Sequence, residues 1–180
     1  MKATVAKLSL VVLVLSSPII LAQGFKMISE ILSGYEEVPA VSTSGGGQFR
    51  ARISNDESSI QWELTYSGLE GAIQQSHIHL GQRGVNGGIT VFLCTNLGNG
   101  PAGIQPCPPA PSTISGTIMS GDVSPNIPAT VAARTQGINT GEIAELVRAI
   151  RAGATYVNIH TTTWPGGEVR KQINGNSGSN

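Results

Sequence analysis

The chain has 180 residues, with eleven lysines and arginines, eleven aspartates and glutamates, three histidines and two cysteines. This charge balance gives no electrostatic case for nucleic acid or anionic lipid as a partner. The length suits one domain with a full core.

Lys2 and Lys7 precede an apolar run from Leu8 to Leu21, broken only by Ser16, Ser17 and Pro18, and Ala22 follows as a small residue. This pattern reads as a secretory signal peptide over 1–22. The run is short for a spanning helix, which is the rival reading as a retained anchor. After removal of 1–22, nine basic residues face eleven acidic ones, a formal charge of −2. The expected layout is then a β domain over 23–173 and a disordered polar tail over 174–180.

In chain order, Lys26–Ser33 is a strand candidate of mixed polarity, and Pro39 with the Ser/Gly segment Ser42–Gly47 marks a loop. Gln48–Ser54 alternates, with Phe49, Ala51 and Ile53 on one face. Ser59–Tyr66 does the same with Ile60, Trp62, Leu64 and Tyr66, so the two read as a half-buried hairpin around the polar turn 55–58. Gly68–Gly71 is a turn, and a strand carrying His77 follows. Gly81–Gly88 is a glycine-rich loop, Ile89–Leu93 a short buried strand, and Thr113–Met119 another strand. Asp122–Pro128 is a loop. Ile143, Leu146, Val147 and Ile150 fall at helical spacing, which predicts an amphipathic helix over Asn139–Gly153, capped by Asn139 or Thr140 and stopped at Gly153. The His160 strand, a turn at Thr163–Gly167 and a final strand Glu168–Ile173 complete the chain. Many short strands with one helix predict a mainly β fold, a Greek-key sandwich or barrel.

Export would expose Cys94 and Cys107 to an oxidising compartment, so the pair is expected to form a disulfide closing the loop 95–106.

The histidines carry the sharpest chemical signal. His77 and His79 sit one residue apart in Ser76-His77-Ile78-His79-Leu80, and His160 lies in the similar run Tyr156-Val157-Asn158-Ile159-His160. Alternation places His77 and His79 opposite Ile78 and Leu80, and His160 opposite Ile159. All three are therefore expected on the outer face, away from the core. One reading is surface imidazoles; the other is a tris-histidine site for copper or zinc, which neutral imidazole suits. Glu168 and Arg170 are either an exposed ion pair or groups that orient His160 from behind. Trp164-Pro165 is a turn with an exposed aromatic or a binding anchor. No nucleophile elbow or phosphate-binding glycine motif is present.

Leu32-Ser33-Gly34, Glu37-Val38-Pro39, His77-Ile78-His79, Tyr156-Val157-Asn158-Ile159-His160-Thr161 and Pro165-Gly166-Gly167-Glu168-Val169-Arg170 together resemble the CHRD domain, named for chordin. The likeness spans about Ile28 to Ile173. One departure is Lys171, which stands before Gln172 where family members often have Gly-Gln after the arginine. The resemblance implies an extracellular β-rich domain like the copper/zinc superoxide dismutase barrel. It does not imply dismutase activity, because that enzyme's metals draw on more histidines than three. Two classes of function survive: a secreted, non-catalytic binding module for an extracellular protein or small ligand, and a small metalloprotein with a copper or zinc site, redox-active or not.

Overall fold

The computed structural model describes residues 27–123 and 131–175. The signal peptide expected over 1–22 and residues 176–180 of the expected tail lie outside the described residues. The first two tail residues are tied down: the Asn174 amide donates to the Glu30 carboxylate, and the Gly175 amide to the Ile150 carbonyl.

The described residues form eight strands: β1 Met27–Ser33, β2 Gly46–Ile53, β3 Ile60–Ser67, β4 Ile73–Leu80, β5 Gly88–Thr95, β6 Ser112–Ile118, β7 Thr155–Thr161 and β8 Val169–Ile173. They make one sheet in the order β5-β4-β7-β8-β1-β2-β3-β6, and each neighbouring pair runs antiparallel. The sheet curls into a nearly closed barrel. Between its two edges the Gln105 side-chain amide donates to Leu93 O of β5 and to Ser115 O of β6, and the Thr95 amide donates to the Gln105 carbonyl.

Period-two alternation explains most of this. On β3, Ile60, Trp62, Leu64 and Tyr66 enter the core while Gln61, Thr65 and Ser67 face water. One continuous cluster fills the barrel, from Ile28 and Phe49 through Leu64, Ile78 and Leu93 to Ile159 and Ile173. Burying each such side chain contributes about 1.5–3 kcal/mol before ordering costs.

Among the described residues two α-helices lie beside the sheet, α1 Val131–Thr135 and α2 Ile143–Arg151. The sequence pattern did not reveal the five-residue α1. The expected helix over Asn139–Gly153 is α2, with Leu146, Val147 and Ile150 buried. It starts later than expected because Gly141 takes a positive φ of 85°. The Glu142 carboxylate reaches back to accept the Asn139 amide, reversing the expected cap. Gly153, at φ 66°, ends the helix as expected. The Cys94–Cys107 disulfide forms, with Cα atoms 5.1 Å apart. Closing a loop of this size contributes about 3 kcal/mol.

For function, the decisive pairing is β4 with β7. His77 lies opposite Asn158, His79 opposite Tyr156 and Gln75 opposite His160. Local alternation could not supply that adjacency.

Candidate metal centre

The three imidazoles lie, as their parity with Ile78 and Ile159 requires, on the face away from the core, since both isoleucines belong to the core cluster. The expectation that this face is a surface requires correction. His77 is 0% exposed, His79 6% and His160 7%. The reason is a roof of loops. The segment after β1 and the loop 81–88 fold over the outer face of β4, β7 and β8. The Asn86 side-chain amide donates to Val38 O, and Arg83 pairs with Glu36. Arg170 donates to Asn86 Oδ1 at 3.0 Å and to Val85 O at 2.9 Å, while Gln172 Nε2 donates to Gly81 O at 2.8 Å.

Beneath this roof the nitrogens converge. Each histidine offers one ring nitrogen such that the three lie within 4.8 Å of one another. His77 Nδ1 stands 3.3 Å from His160 Nε2. Backbone carbonyls set two of the tautomers. His79 Nδ1 lies 3.0 Å from Gly87 O, and His160 Nδ1 lies 2.9 Å from Pro165 O. A carbonyl only accepts, so each Nδ1 carries the proton and each Nε2 presents a lone pair. Metal-bound histidines are held in this way, by a carbonyl or carboxylate on the far nitrogen. The Nε2 atom of His79 is buried without a hydrogen-bond partner. A buried, unpaired polar atom costs about 1–3 kcal/mol and calls for an explanation.

The rings are clamped from the sides. The His79 ring lies parallel to Tyr156 at 4.6 Å with an interplanar angle of 2°, and the Arg170 guanidinium lies 3.3 Å from the Tyr156 ring centroid. Phe92 meets His77 edge-on at 4.4 Å. Gly87 has to be glycine: a Cβ there would come within 1.6 Å of Leu80 O, so no side chain can occupy the bend that aims its carbonyl at His79.

Electrostatics keep the imidazoles neutral. Burial, reinforced by the neighbouring His79 and His160, drives the His77 pKa well below its ordinary value. Burial holds His79 down to about 3, against the opposing hydrogen bond to Gly87. Burial also lowers His160, partly offset by its bond to Pro165.

Glu168 and Arg170 are both buried, at 0% and 1% exposure, so the exposed ion pair is not found. The Glu168 carboxylate accepts from Thr161 Oγ1, Thr43 Oγ1 and the Glu70 amide. The Trp164 amide in turn donates to Thr161 Oγ1, within the turn that carries Pro165. Trp164 is half-buried rather than an open anchor.

Sequence reasoning passed over three residues. Asn158 shares the parity of His160, and its Oδ1 lies 3.1 Å from His160 Nε2. That polar residue between Val157 and Ile159 was the available signal. Tyr156, two residues earlier, was visible by the same parity. Glu37, 6% exposed, had no such signal; it lies under the roof with Oε1 unpartnered. Burial pushes its pKa up to about 7, against the pull of Arg170 and of hydrogen bonds from Val38 and Asn158.

No helix of the described residues is long and apolar enough to cross a membrane. No curated protein and no solved structure matches the chain, so the dismutase-like barrel that the resemblance implied gains no support from a structural neighbour. A family model described as the CHRD domain matches residues 28–173, from the start of β1 to the end of β8 and across all three histidines. The chain belongs to the CHRD domain family.

Proposed function

We propose that this protein is a secreted, extracellular-type binding module that holds one transition metal ion, zinc or copper, on His77, His79 and His160. One observation carries the reading: three buried imidazole nitrogens lie within 4.8 Å of one another, two of the rings being held by carbonyls on their far nitrogens. Neutral imidazole is the ligand form for both metals. The ligands are at most 7% exposed, which favours holding an ion over turning over a substrate. Arg170 orients His79 through Tyr156. Glu168 orients His160 through Thr161 and the turn bearing Pro165. A protein-facing role is the second reading, favoured by Ile31 and Tyr35, which are 61% and 74% exposed around the end of β1.

Calorimetric titration of the metal-free protein with Zn²⁺ and with Cu²⁺ tests the reading. One ion per chain is expected, and His79→Ala and His160→Ala should each weaken binding at least about tenfold. Circular dichroism checks that the variants fold. Wild-type protein that takes up neither ion overturns the proposal.

A further inference from the structure

The three histidines leave a fourth position, and one oxygen already stands at it. Asn158 Oδ1 is 3.1 Å from His160 Nε2, and His77 Nδ1 is 3.3 Å from the same atom. Donors bound tetrahedrally at about 2.0–2.1 Å lie about 3.3 Å apart, so both spacings match neighbours around one ion. With the His160 proton on Nδ1, its Nε2 is an acceptor. Asn158 Oδ1 is an acceptor too. Two acceptors at 3.1 Å repel unless a cation lies between them.

The amide orientation matches what stands behind it. The Asn158 side chain also pulls the Glu37 pKa down against burial, as a donor beside that carboxyl does. The oxygen Oδ1 is the atom turned toward the histidines, which leaves the amide nitrogen to donate to Glu37. Glu37 is itself held from behind. A Cβ on Gly167 would come within 2.4 Å of Glu37 Oε1, so only glycine at 167 leaves room for that carboxylate. Asn158 is 3% exposed, and it faces His77 across the β4–β7 pairing.

Resting on the metal reading above, we propose that Asn158 Oδ1 is the fourth donor of this centre, that Glu37 positions it, and that the resulting set of three nitrogens and one oxygen selects a divalent ion over monovalent copper. The chemistry follows from ligand hardness. Monovalent copper favours soft sulfur donors, and a carbonyl oxygen adds little to its binding. A dication gains from that oxygen and favours the ionised form of Glu37 behind it, whose charge also offsets the nearby Arg170 cation. Glu37 is a positioning residue here, not a ligand.

The test uses Co²⁺ as a spectroscopic probe, with Zn²⁺ and Cu⁺ titrations of the metal-free protein. Wild type should give intense four-coordinate Co²⁺ visible bands. Asn158→Ala should weaken Zn²⁺ binding about 10–100-fold and change the Co²⁺ band pattern as water takes the vacated position. Its Cu⁺ affinity should stay within about threefold, since hardness matching gives that oxygen little part in binding the monovalent ion. Asn158→Asp, which keeps the oxygen, should retain the four-coordinate spectrum. Glu37→Gln should shift the bands and lower Zn²⁺ affinity about tenfold without moving Cu⁺. Circular dichroism and the Cu⁺ titration confirm that each variant keeps the three-histidine pocket. Failure of wild type to bind any of the ions sinks the metal reading itself. Unchanged Co²⁺ bands and Zn²⁺ affinity in folded Asn158→Ala overturn the fourth donor while leaving the three-histidine site standing. Equal loss of Zn²⁺ and Cu⁺ overturns the selectivity.

Discussion

β3 and β7 are written in the same alternating pattern, yet they end in different surroundings. Along β3 burial alternates, with Trp62 and Leu64 inside and Gln61 and Thr65 in water. Along β7 all seven residues are buried, polar and apolar alike. The inner faces are equivalent, since Leu64 and Ile159 share one core cluster. The difference lies outside, where β7 is roofed by chain from before β2 and after β4, and β3 is not. An outward polar residue on β3 needs only water. An outward polar residue on β7 needs a partner, and His160 finds one in the Pro165 carbonyl. A β-sheet face becomes a chemical site here by being covered, not by being exposed.

The strongest probes of that contrast should find no difference. Phe49→Ala and Ile159→Ala, both at 0% exposure, should each lower unfolding free energy by about 2–5 kcal/mol in denaturant titration. An effect under about 1 kcal/mol at either site would break the picture of one shared core. Replacing Cys94 and Cys107 with serine should cost about 3 kcal/mol, read by the same titration with wild type under reducing conditions as control.

Acid should separate the two halves. The imidazoles are depressed in the folded state, so below about pH 6.5 the unfolded chain binds more protons than the folded one. Their stabilisation is complete above that pH and is lost as pH falls through their lowered pKa values, about 3 for His79. Glu37 is raised to about 7 and works the opposite way, its contribution being present below about pH 4.5 and lost as pH rises through 7. The histidines outnumber it, so metal-free protein should lose stability between pH 6.5 and 5.5. Stability that stays flat across that interval would count against buried neutral imidazoles. Glu37→Gln should make the decline steeper.

The smallest effects sharpen the contrast most directly. Glu63, on the outer face of β3, pairs with Arg50 at 3.8 Å in an exposed contact. Glu63→Ala should change stability by less than about 0.5 kcal/mol. His160→Ala, at the corresponding outward position of β7, should cost about 1–2 kcal/mol because Pro165 O loses its donor and a buried ring is removed. Thermal or denaturant midpoints that are equal for the two variants would remove the distinction.

Much of this was legible in the chain, and the boundary is physical. Alternation is local, so Phe49, Trp62, Leu64 and the shared parity of His77, His79 and His160 could be read directly. The disulfide followed from expected export and a closed loop. The β4–β7 pairing was not legible, because it joins residues some eighty positions apart and nothing local selects the partner. The roof was hidden for the same reason. Glycines in Gly81–Gly88 signalled a loop, but not that Arg170 would draw it down over the histidines through Asn86 and Val85. Glu37 stands in a segment without periodicity, so its burial could not be inferred at all.

The Gln105 bridge has a consequence for the protein among other molecules. An open sheet ends in strands whose outermost amides and carbonyls are free to recruit a strand from another chain, the first step toward fibrous association. Here the two ends of the sheet face each other across a narrow gap. The chain from Gln105 to the Cys107 link fills part of it, with the Gln105 amide occupying carbonyls on both sides. Where Gln105 and the covalent link sit, the strand ends meet a segment that is already attached. The sheet carries its own stopper, and the two cysteines hold that stopper in place.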